Sequence, residues 1–318
     1  MWCSAMPIKR IAAIDIGTVT CRLLVADVDG RQLVELERRC VITNLGVGVD
    51  QTHVLRDDAI ERVIAQVADY VSVVDSYRSE DHPSIPIVAV ATSASRDAKN
   101  ASVLIERLRG VGVELSVIPG EREAALSFRG ASRGYEGEPL LVVDIGGGST
   151  ETVFGQGGEA PHFAHSFNIG CRRVTERFLA SDPPATGELE AARAWVRTAF
   201  APVFAEARRA GCTVGRIVAV AGTATSVVSV NEQMKVYDPV RVDGTVVTRA
   251  VLAAIYERLA ALPVAERAQV IGLEPKRAPV IVAGMAILLE VLDALGAESF
   301  TVSESDILQG LILGAADA

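Results

Sequence analysis

A chain of 318 residues, 49% of them apolar and 22% charged, is long enough to form two domains that each bury a core. Its formal net charge of -9 excludes a broad nucleic-acid surface, and its longest apolar stretch, residues 278–295, is interrupted by Glu290 and Asp293, which excludes a transmembrane span there. The five cysteines, Cys3, Cys21, Cys40, Cys171 and Cys212, form no CxxC pair, which excludes a disulfide scaffold and points to a reducing cytoplasm.

Met1 to Arg10 lacks the apolar centre of a secretion signal and reads as a frayed leader, with Met6 as an alternative start. Residues 8–30 read as a strand, a turn and a second strand, and Arg31 to Cys40 as a third. Asp57 to Tyr77 is predicted helical, because Ile60, Val63, Ile64, Val67, Val71 and Val74 recur at intervals of three and four. Asp57 is expected to cap it. A strand over Ile85–Ala91, a helix over Asn100–Arg109 ended by Gly110, a strand over Val113–Ile118 and a helix over Glu121–Gly130 follow. Gly134 to Pro139 reads as a boundary.

The second half restarts with a strand over Leu140–Val143. Further strands are expected at Glu151–Phe154 and Phe163–Asn168, separated by Gly157-Gly158. A helix beginning at Val174 is broken by Asp182-Pro183-Pro184, and Glu188–Arg209 is a long helix. Ile217–Val220 is a strand, and Ala221 to Ser226 reads as a turn of small residues. Thr248–Leu259 and Val280–Leu295 are helices, the second buried, and Ser305–Ile312 is a terminal helix ended by Gly314. Strands alternating with helices give an α/β fold.

Two glycine-rich acidic turns carry the chemistry. Ile14-Asp15-Ile16-Gly17-Thr18-Val19-Thr20 and Val143-Asp144-Ile145-Gly146-Gly147-Gly148-Ser149-Thr150-Glu151 each set Asp at a strand end, then glycine, then hydroxyls. Such a turn presents N–H groups and hydroxyls to phosphate oxygens, and the acids suit a hydrated divalent cation. Asp15 alone reads equally well as a turn residue; its repetition at Asp144 suggests two similar halves facing one phosphate site. Gly222-Thr223 after a strand reads either as a plain strand-to-helix turn or as a second phosphate cradle. Ser93, Arg96 and Lys99 lie in a polar segment ending another strand, and Arg22, Arg172 and Arg173 offer further cations. Glu121, Glu123 and Glu151 are candidates for positioning water. His53, His82, His162 and His165 lack metal-ligand spacing, and Cys171 reads as packing.

These segments together resemble the exopolyphosphatase/guanosine pentaphosphate phosphatase (Ppx/GppA) family. Asp15 to Leu24 resembles its first phosphate motif, with Val19 where Asn is usual. Ala91 to Asn100 resembles ATSAxRxAxN, and Gly120 to Ala124 resembles GxEEA, with Arg122 replacing the first Glu. Asp144 to Glu151 matches DxGGGSxE, Ser166 to Phe178 resembles SxxxGxxxxTExF, and Gly222-Thr223 resembles the family's GT turn. Gly272 to Leu289, including Arg277, and Ser303 to Gly310 resemble its closing segments.

The resemblance implies two ribonuclease-H-like domains of the actin/sugar kinase/heat-shock-70 superfamily flanking an interdomain cleft. Residues 8–134, completed by a terminal helix at 299–315, would form one domain, and residues 135–298 the other. The sequence ends before the extra helical region of longer members, as in short actinobacterial-type exopolyphosphatases. Glu123 would be the catalytic base, with Glu121 as the fallback. Asp144 and Glu151 would position Mg²⁺, or Mn²⁺, and water, and Asp15 would support the metal. Gly17, Thr18, Thr20, Arg22, Ser93, Arg96, Gly146, Gly147, Gly148, Ser149, Gly222 and Thr223 would contact phosphate. The implied activity is release of terminal orthophosphate from inorganic polyphosphate of short to medium length, by a homodimer with no nucleic-acid or membrane partner. Competing readings are guanosine pentaphosphate hydrolysis to the tetraphosphate, a sugar or acetate-type kinase, and a noncatalytic sensor of phosphate-rich alarmones.

Overall fold

The computed structural model describes residues 8–30 and 32–317. The leader expected at Met1–Arg10 and the start at Met6 therefore lie outside the described residues, except for Ile8–Arg10, of which Lys9 and Arg10 open the first strand. The chain divides into two compact units, residues 1–130 with 307–318, and residues 131–306.

In the first unit, β1 (Lys9–Ile16), β2 (Thr20–Asp29) and β3 (Gln32–Ile42) form an antiparallel meander. After α1 (Val49–Thr52) and α2 (Asp57–Ser76), β4 (Ile87–Ala91) pairs parallel with β1. Then come α3 (Ser93–Asp97), α4 (Ala101–Arg109), β5 (Leu115–Val117), parallel to β4, and α5 (Gly120–Ala131). The sheet order is β3-β2-β1-β4-β5. β1 is apolar on both faces because both are covered. Ile14, Ile16, Leu23 and Val25 pack with Ile60, Val63 and Val67 of α2 and Leu104 and Leu108 of α4. Ile11, Ala13, Leu24 and Ala26 pack with Leu126 of α5 and the C-terminal helix. Tyr70, fully buried on α2, donates its hydroxyl to Cys21 O at 2.8 Å. Asp57 does not cap α2; the capping position is Arg56, and no side chain caps it.

The second unit repeats this order. β6 (Pro139–Ile145), β7 (Thr150–Gln156) and β8 (Pro161–Phe167) form an antiparallel meander, followed by α6 (Cys171–Phe178) and α7 (Thr186–Arg209). β9 (Arg216–Val220) pairs parallel with β6 and runs directly into α8 (Ala221–Asn231). The small-residue turn expected at Ala221–Ser226 is thus the start of a helix. The reversal is confined to one residue, Ala221, at φ 63°. Next are α9 (Pro239–Val242), β10 (Val246–Thr248), α10 (Arg249–Ala260), α11 (Val264–Arg267) and a single 3-10 turn at Pro275–Arg277. α12 (Ile281–Leu295) is buried from Ile281 to Leu292, so it is apolar on every side. Its buried Glu290 accepts from Arg193 Nε at 2.6 Å and Arg197 Nε at 2.9 Å, both on α7.

β11 (Ser299–Val302), unforeseen in the sequence, pairs parallel with β9, and the order is β10-β11-β9-β6-β7-β8. Residues 299–306 therefore belong to the second unit, and only α13 (Ile307–Ala316) returns to the first. There Gly310 lies so close to α5 that a Cβ would stand 2.0 Å from Leu126 O. α13 runs through Gly314 instead of ending there.

Candidate functional site

The two acidic turns are the same structure built twice. In the first unit Gly17 N–H donates to Thr20 O at 2.8 Å, and Asp15 faces Arg22 across β1 and β2. In the second, Gly146 N–H donates to Ser149 O at 3.0 Å, and Asp144 faces Glu151 across β6 and β7. Each turn is backed by the segment that follows the third strand of its meander. Thr18 O accepts from Gly46 N–H at 2.9 Å, and Val19 O accepts from Thr43 and Asn44 at 3.0 and 2.9 Å. Gly146 O accepts from Cys171 N–H at 2.9 Å, and Gly147 O accepts from Arg172 and Arg173 at 2.9 and 3.2 Å. Arg173 Nε donates to Gly148 O at 2.9 Å.

This backing orients the second turn. A trans peptide directs its C=O and the next residue's N–H to opposite sides. With the carbonyls of residues 146–148 turned onto α6, the N–H groups of Gly147, Gly148 and Ser149 point away from it. Among the described residues these three N–H groups have no protein acceptor. Buried N–H groups require an acceptor, and successive ones in a turn form an anion nest. The approach of α6 is close: a Cβ on Gly170 would lie 2.4 Å from Gly147 C and O and from Gly148 N. Thr150 Oγ1 donates to Ile169 O at 2.6 Å and fixes the same contact.

The position across from the aspartate separates the two turns. Arg22 donates to Asp15 Oδ2 through Nε at 3.0 Å and Nη2 at 2.6 Å, so the first turn carries an ion pair. The second carries two buried acids, Asp144 at 7% and Glu151 at 1% exposure. Ser166 Oγ on β8 donates to Glu151 Oε1 at 2.7 Å. Like charges directly opposite one another repel, and a cation removes that repulsion. Mg²⁺ is commonly held by one or two carboxylates together with phosphate oxygens and water, so this pair fits it. Among the described residues no group of three or more His, Cys, Asp or Glu forms a metal cluster. Asp15 as a metal ligand competes with Arg22 for Oδ2.

Glu123 and Arg96 meet in the first unit. Arg96 Nη1 donates to Glu123 Oε2 at 2.6 Å and to Ile118 O at 3.0 Å. Glu123 is buried, whereas Glu121 and Arg122 are exposed on the first turn of α5. Two residues apart on a helix, the glutamates lie on different faces, and only Glu123 is aligned with Arg96. Ser93 and Thr18 are buried, and neither hydroxyl oxygen has a hydrogen-bond partner among the described residues. Thr20, half-buried, opens β2 at the end of the turn.

Gly222 and Thr223 sit in the first turn of α8. A Cβ on Gly222 would lie 1.7 Å from Arg277 Nη1, so the guanidinium rests on the bare glycine Cα. Thr223 is buried against Gly284 of α12. Arg277 is half-buried, and its side chain has no ion-pair or hydrogen-bond partner among the described residues. A cation at the positive end of a helix concentrates positive potential and favours an anion there.

Arg172, Arg173 and the Cys171 thiol have local roles, and Lys99 is exposed. Arg172 pairs with Glu176 at 3.5 Å, and Arg173 braces Gly148. Burial pushes the Cys171 thiol above its ordinary pKa, which makes it a poor nucleophile. Three contributors received no role from the sequence: the backing loop at residues 43–48, Ser166 and Arg277. The Gly46-Val47-Gly48 spacing was a usable signal for the first. Ser166 and Arg277 fall in segments that resemble family motifs, but no local pattern assigns either of them a role.

A model of the Ppx/GppA phosphatase family matches residues 24–318. The curated relative Exopolyphosphatase 2 of Mycobacterium tuberculosis is 37% identical, over 98% of this chain and 100% of the relative. The crystal structure of an Aquifex aeolicus member of the Ppx/GppA protein family matches with a TM-score of 0.80 at 32% identity, over 98% of both chains. That of an exopolyphosphatase from Cytophaga hutchinsonii matches with a TM-score of 0.85 at 26% identity, over 97% of this chain and 98% of the other. With these motifs, this topology and these matches, the chain belongs to the Ppx/GppA phosphatase family.

Proposed function

We propose that the protein is an exopolyphosphatase that releases terminal orthophosphate from inorganic polyphosphate of short to medium length. The observation that carries the reading is the second turn, where three N–H groups that point away from α6 and have no protein acceptor among the described residues adjoin the facing acids Asp144 and Glu151. That combination suits a phosphate oxygen and the cation bound to it. The repeated order of meander followed by parallel strands supports ribonuclease-H-like units of the actin-like superfamily.

In this reading Glu123 takes the proton of the attacking water, and Arg96 fixes the carboxylate's orientation through Oε2. In the second unit the N–H groups of Gly147, Gly148 and Ser149 bind phosphate oxygens, and in the first unit Gly17, Thr18 and Ser93 would do so. Arg277, Gly222 and Thr223 bind another phosphate of the chain. Such donors are preorganised, so they stabilise charge redistribution in the transition state without reorganising. Asp144 and Glu151 would hold Mg²⁺, or Mn²⁺, which supplies charge neutralisation at phosphate oxygens. Asp15, whose Oδ2 accepts from Arg22, would hold Arg22 for a phosphate and would support the metal. The free cysteines Cys21, Cys40, Cys171 and Cys212 support a cytoplasmic setting. Among the described residues no helix is long and apolar enough to cross a membrane. The homodimer rests on family resemblance.

The test is orthophosphate release by purified protein with Mg²⁺ from tripolyphosphate, long polyphosphate and guanosine pentaphosphate. Release from tripolyphosphate, abolished by chelation, is expected. Turnover of guanosine pentaphosphate alone would move the assignment to alarmone hydrolysis, and preference for chains of hundreds of units would overturn the length assignment.

A further inference from the structure

Among the described residues Arg267 is the largest fully buried side chain, at 2% exposure. A charge taken out of water is costly unless paired, yet no carboxylate lies within ion-pair distance of it among the described residues. Its donors go to backbone carbonyls. Nε donates to Leu259 O at 2.8 Å, Nη2 to Leu262 O at 2.7 Å and Nη1 to Ala278 O at 2.9 Å. Leu259 lies in the last turn of α10, where a cation is favourable, and Leu262 lies two residues beyond the helix. The third is the residue immediately after Arg277.

The segment carrying Arg277 is anchored on both sides. Upstream, Ser229 Oγ donates to Gly272 O at 2.6 Å. Gly272 sits at φ 90°, where a Cβ would stand 2.0 Å from Ser229 O, so only glycine fits. Downstream, the side-chain anchor is the Arg267 bond to Ala278 O. Between them the 3-10 turn is closed by Arg277 N–H to Glu274 O at 2.8 Å and Ala278 N–H to Pro275 O at 3.2 Å. The Arg277 side chain itself lies on Gly222 with no protein partner among the described residues. Its placement therefore comes from its backbone, whose downstream anchors are the Arg267 bond to Ala278 O and the Val280 N–H bond to Arg277 O at 2.9 Å; of these, Arg267 is the side-chain anchor.

We propose that Arg267 is a positioning residue: by tying the Ala278 carbonyl to the end of α10, it holds the Arg277 guanidinium against Gly222 at the start of α8. The arrangement makes Arg277 a preset phosphate donor, and this consequence rests on the polyphosphate reading above. Preset geometry saves the entropy of ordering a long side chain when substrate arrives. Loss of Arg267 accordingly weakens binding and leaves the chemical step nearly intact.

The test uses the full chain and Arg267→Lys, which keeps the buried charge but cannot span all three carbonyls. Arg277→Gln and the double variant complete a cycle. Two readouts are taken. The first is the Arg277 Nε–H resonance, assigned by its disappearance in Arg277→Gln, in protein without substrate. The second is steady-state hydrolysis of tripolyphosphate. In Arg267→Lys the resonance moves, KM rises about tenfold and kcat stays within about twofold, and the double variant is no worse than Arg277→Gln alone. An unmoved resonance, or KM effects that multiply in the double variant, would overturn the proposal, as would a fall in kcat with KM unchanged. A moved resonance in a protein whose wild type releases no phosphate supports the positioning and overturns the substrate reading.

Discussion

Substituting Gly170 by Ala probes the step from backing segment to phosphate turn. Gly170 has φ -136° and ψ 166°, an extended conformation open to alanine, so the cost is steric alone. The new Cβ would stand 2.4 Å from Gly147 C and O and Gly148 N, all backbone atoms that no rotamer change can move. Restoring a separation of about 3.5 Å requires the turn and α6 to part by about 1 Å. Cys171 N–H to Gly146 O and Arg172 N–H to Gly147 O, both now 2.9 Å, would stretch beyond hydrogen-bonding range. Two weakened bonds and local overpacking predict a loss of about 1–3 kcal/mol in stability. A displacement of about 1 Å at a catalytic turn predicts a fall of about 100-fold in kcat/KM. Steady-state phosphate release and urea unfolding measure the two effects. Gly187→Ala is the control, because a Cβ there meets nothing within 4 Å on the first turn of α7. Wild-type kcat/KM in Gly170→Ala would refute the argument that α6 orients the turn.

Ser166→Ala removes the 2.7 Å donor to Glu151 Oε1 and should weaken the apparent Mg²⁺ affinity about tenfold, with kcat recovered at saturating metal; a Mg²⁺ titration of phosphate release checks it. Arg10 donates to both oxygens of Asp27 at 2.7 Å, and these hydrogen bonds hold the Asp27 carboxyl below its ordinary pKa. Their stabilisation is therefore full above the ordinary carboxylate range and is lost as pH falls through the lowered folded value. Asp27→Asn should cost up to about 1 kcal/mol at neutral pH, because solvent screens this part-exposed pair, and should match the wild type in strong acid, as read from urea unfolding across pH. Tyr70→Phe leaves the Cys21 carbonyl without a 2.8 Å donor and should cost about 1 kcal/mol without changing KM.

The apolar periodicities of α2 and α12 and the runs of β1 and β6 were legible because burial on a fixed face imposes a fixed spacing. The repeated Asp-Ile-Gly was legible because glycine and acid at a strand end serve turn geometry and ion binding together. Elements whose reason lies elsewhere in the chain were not. β11 is too short to announce itself and forms because β9 offers it an edge. α8 begins at once because Ala221 takes the whole chain reversal, which a row of small residues does not reveal. The pairing of Asp15 with Arg22, and of Asp144 with Glu151, depends on hairpin register. Once the turn is recognised, that register follows from counting back from the turn's glycine. The preference for Glu123 over Glu121 came from the GxEEA resemblance; what the sequence did not show is that Glu123 lies on the face of α5 that meets Arg96.

The central claim is that Glu123 activates water for attack on a terminal phosphoryl group in a site neutralised by metal. The most direct measurement is orthophosphate release from tripolyphosphate in ¹⁸O-labelled water by wild type and by Glu123→Gln, each with Mg²⁺. One labelled oxygen per released orthophosphate in the wild type, and a rate lowered at least about 100-fold in a Glu123→Gln variant that still binds tripolyphosphate, is the predicted result. A Glu123→Gln variant that hydrolyses tripolyphosphate at the wild-type rate would contradict the account.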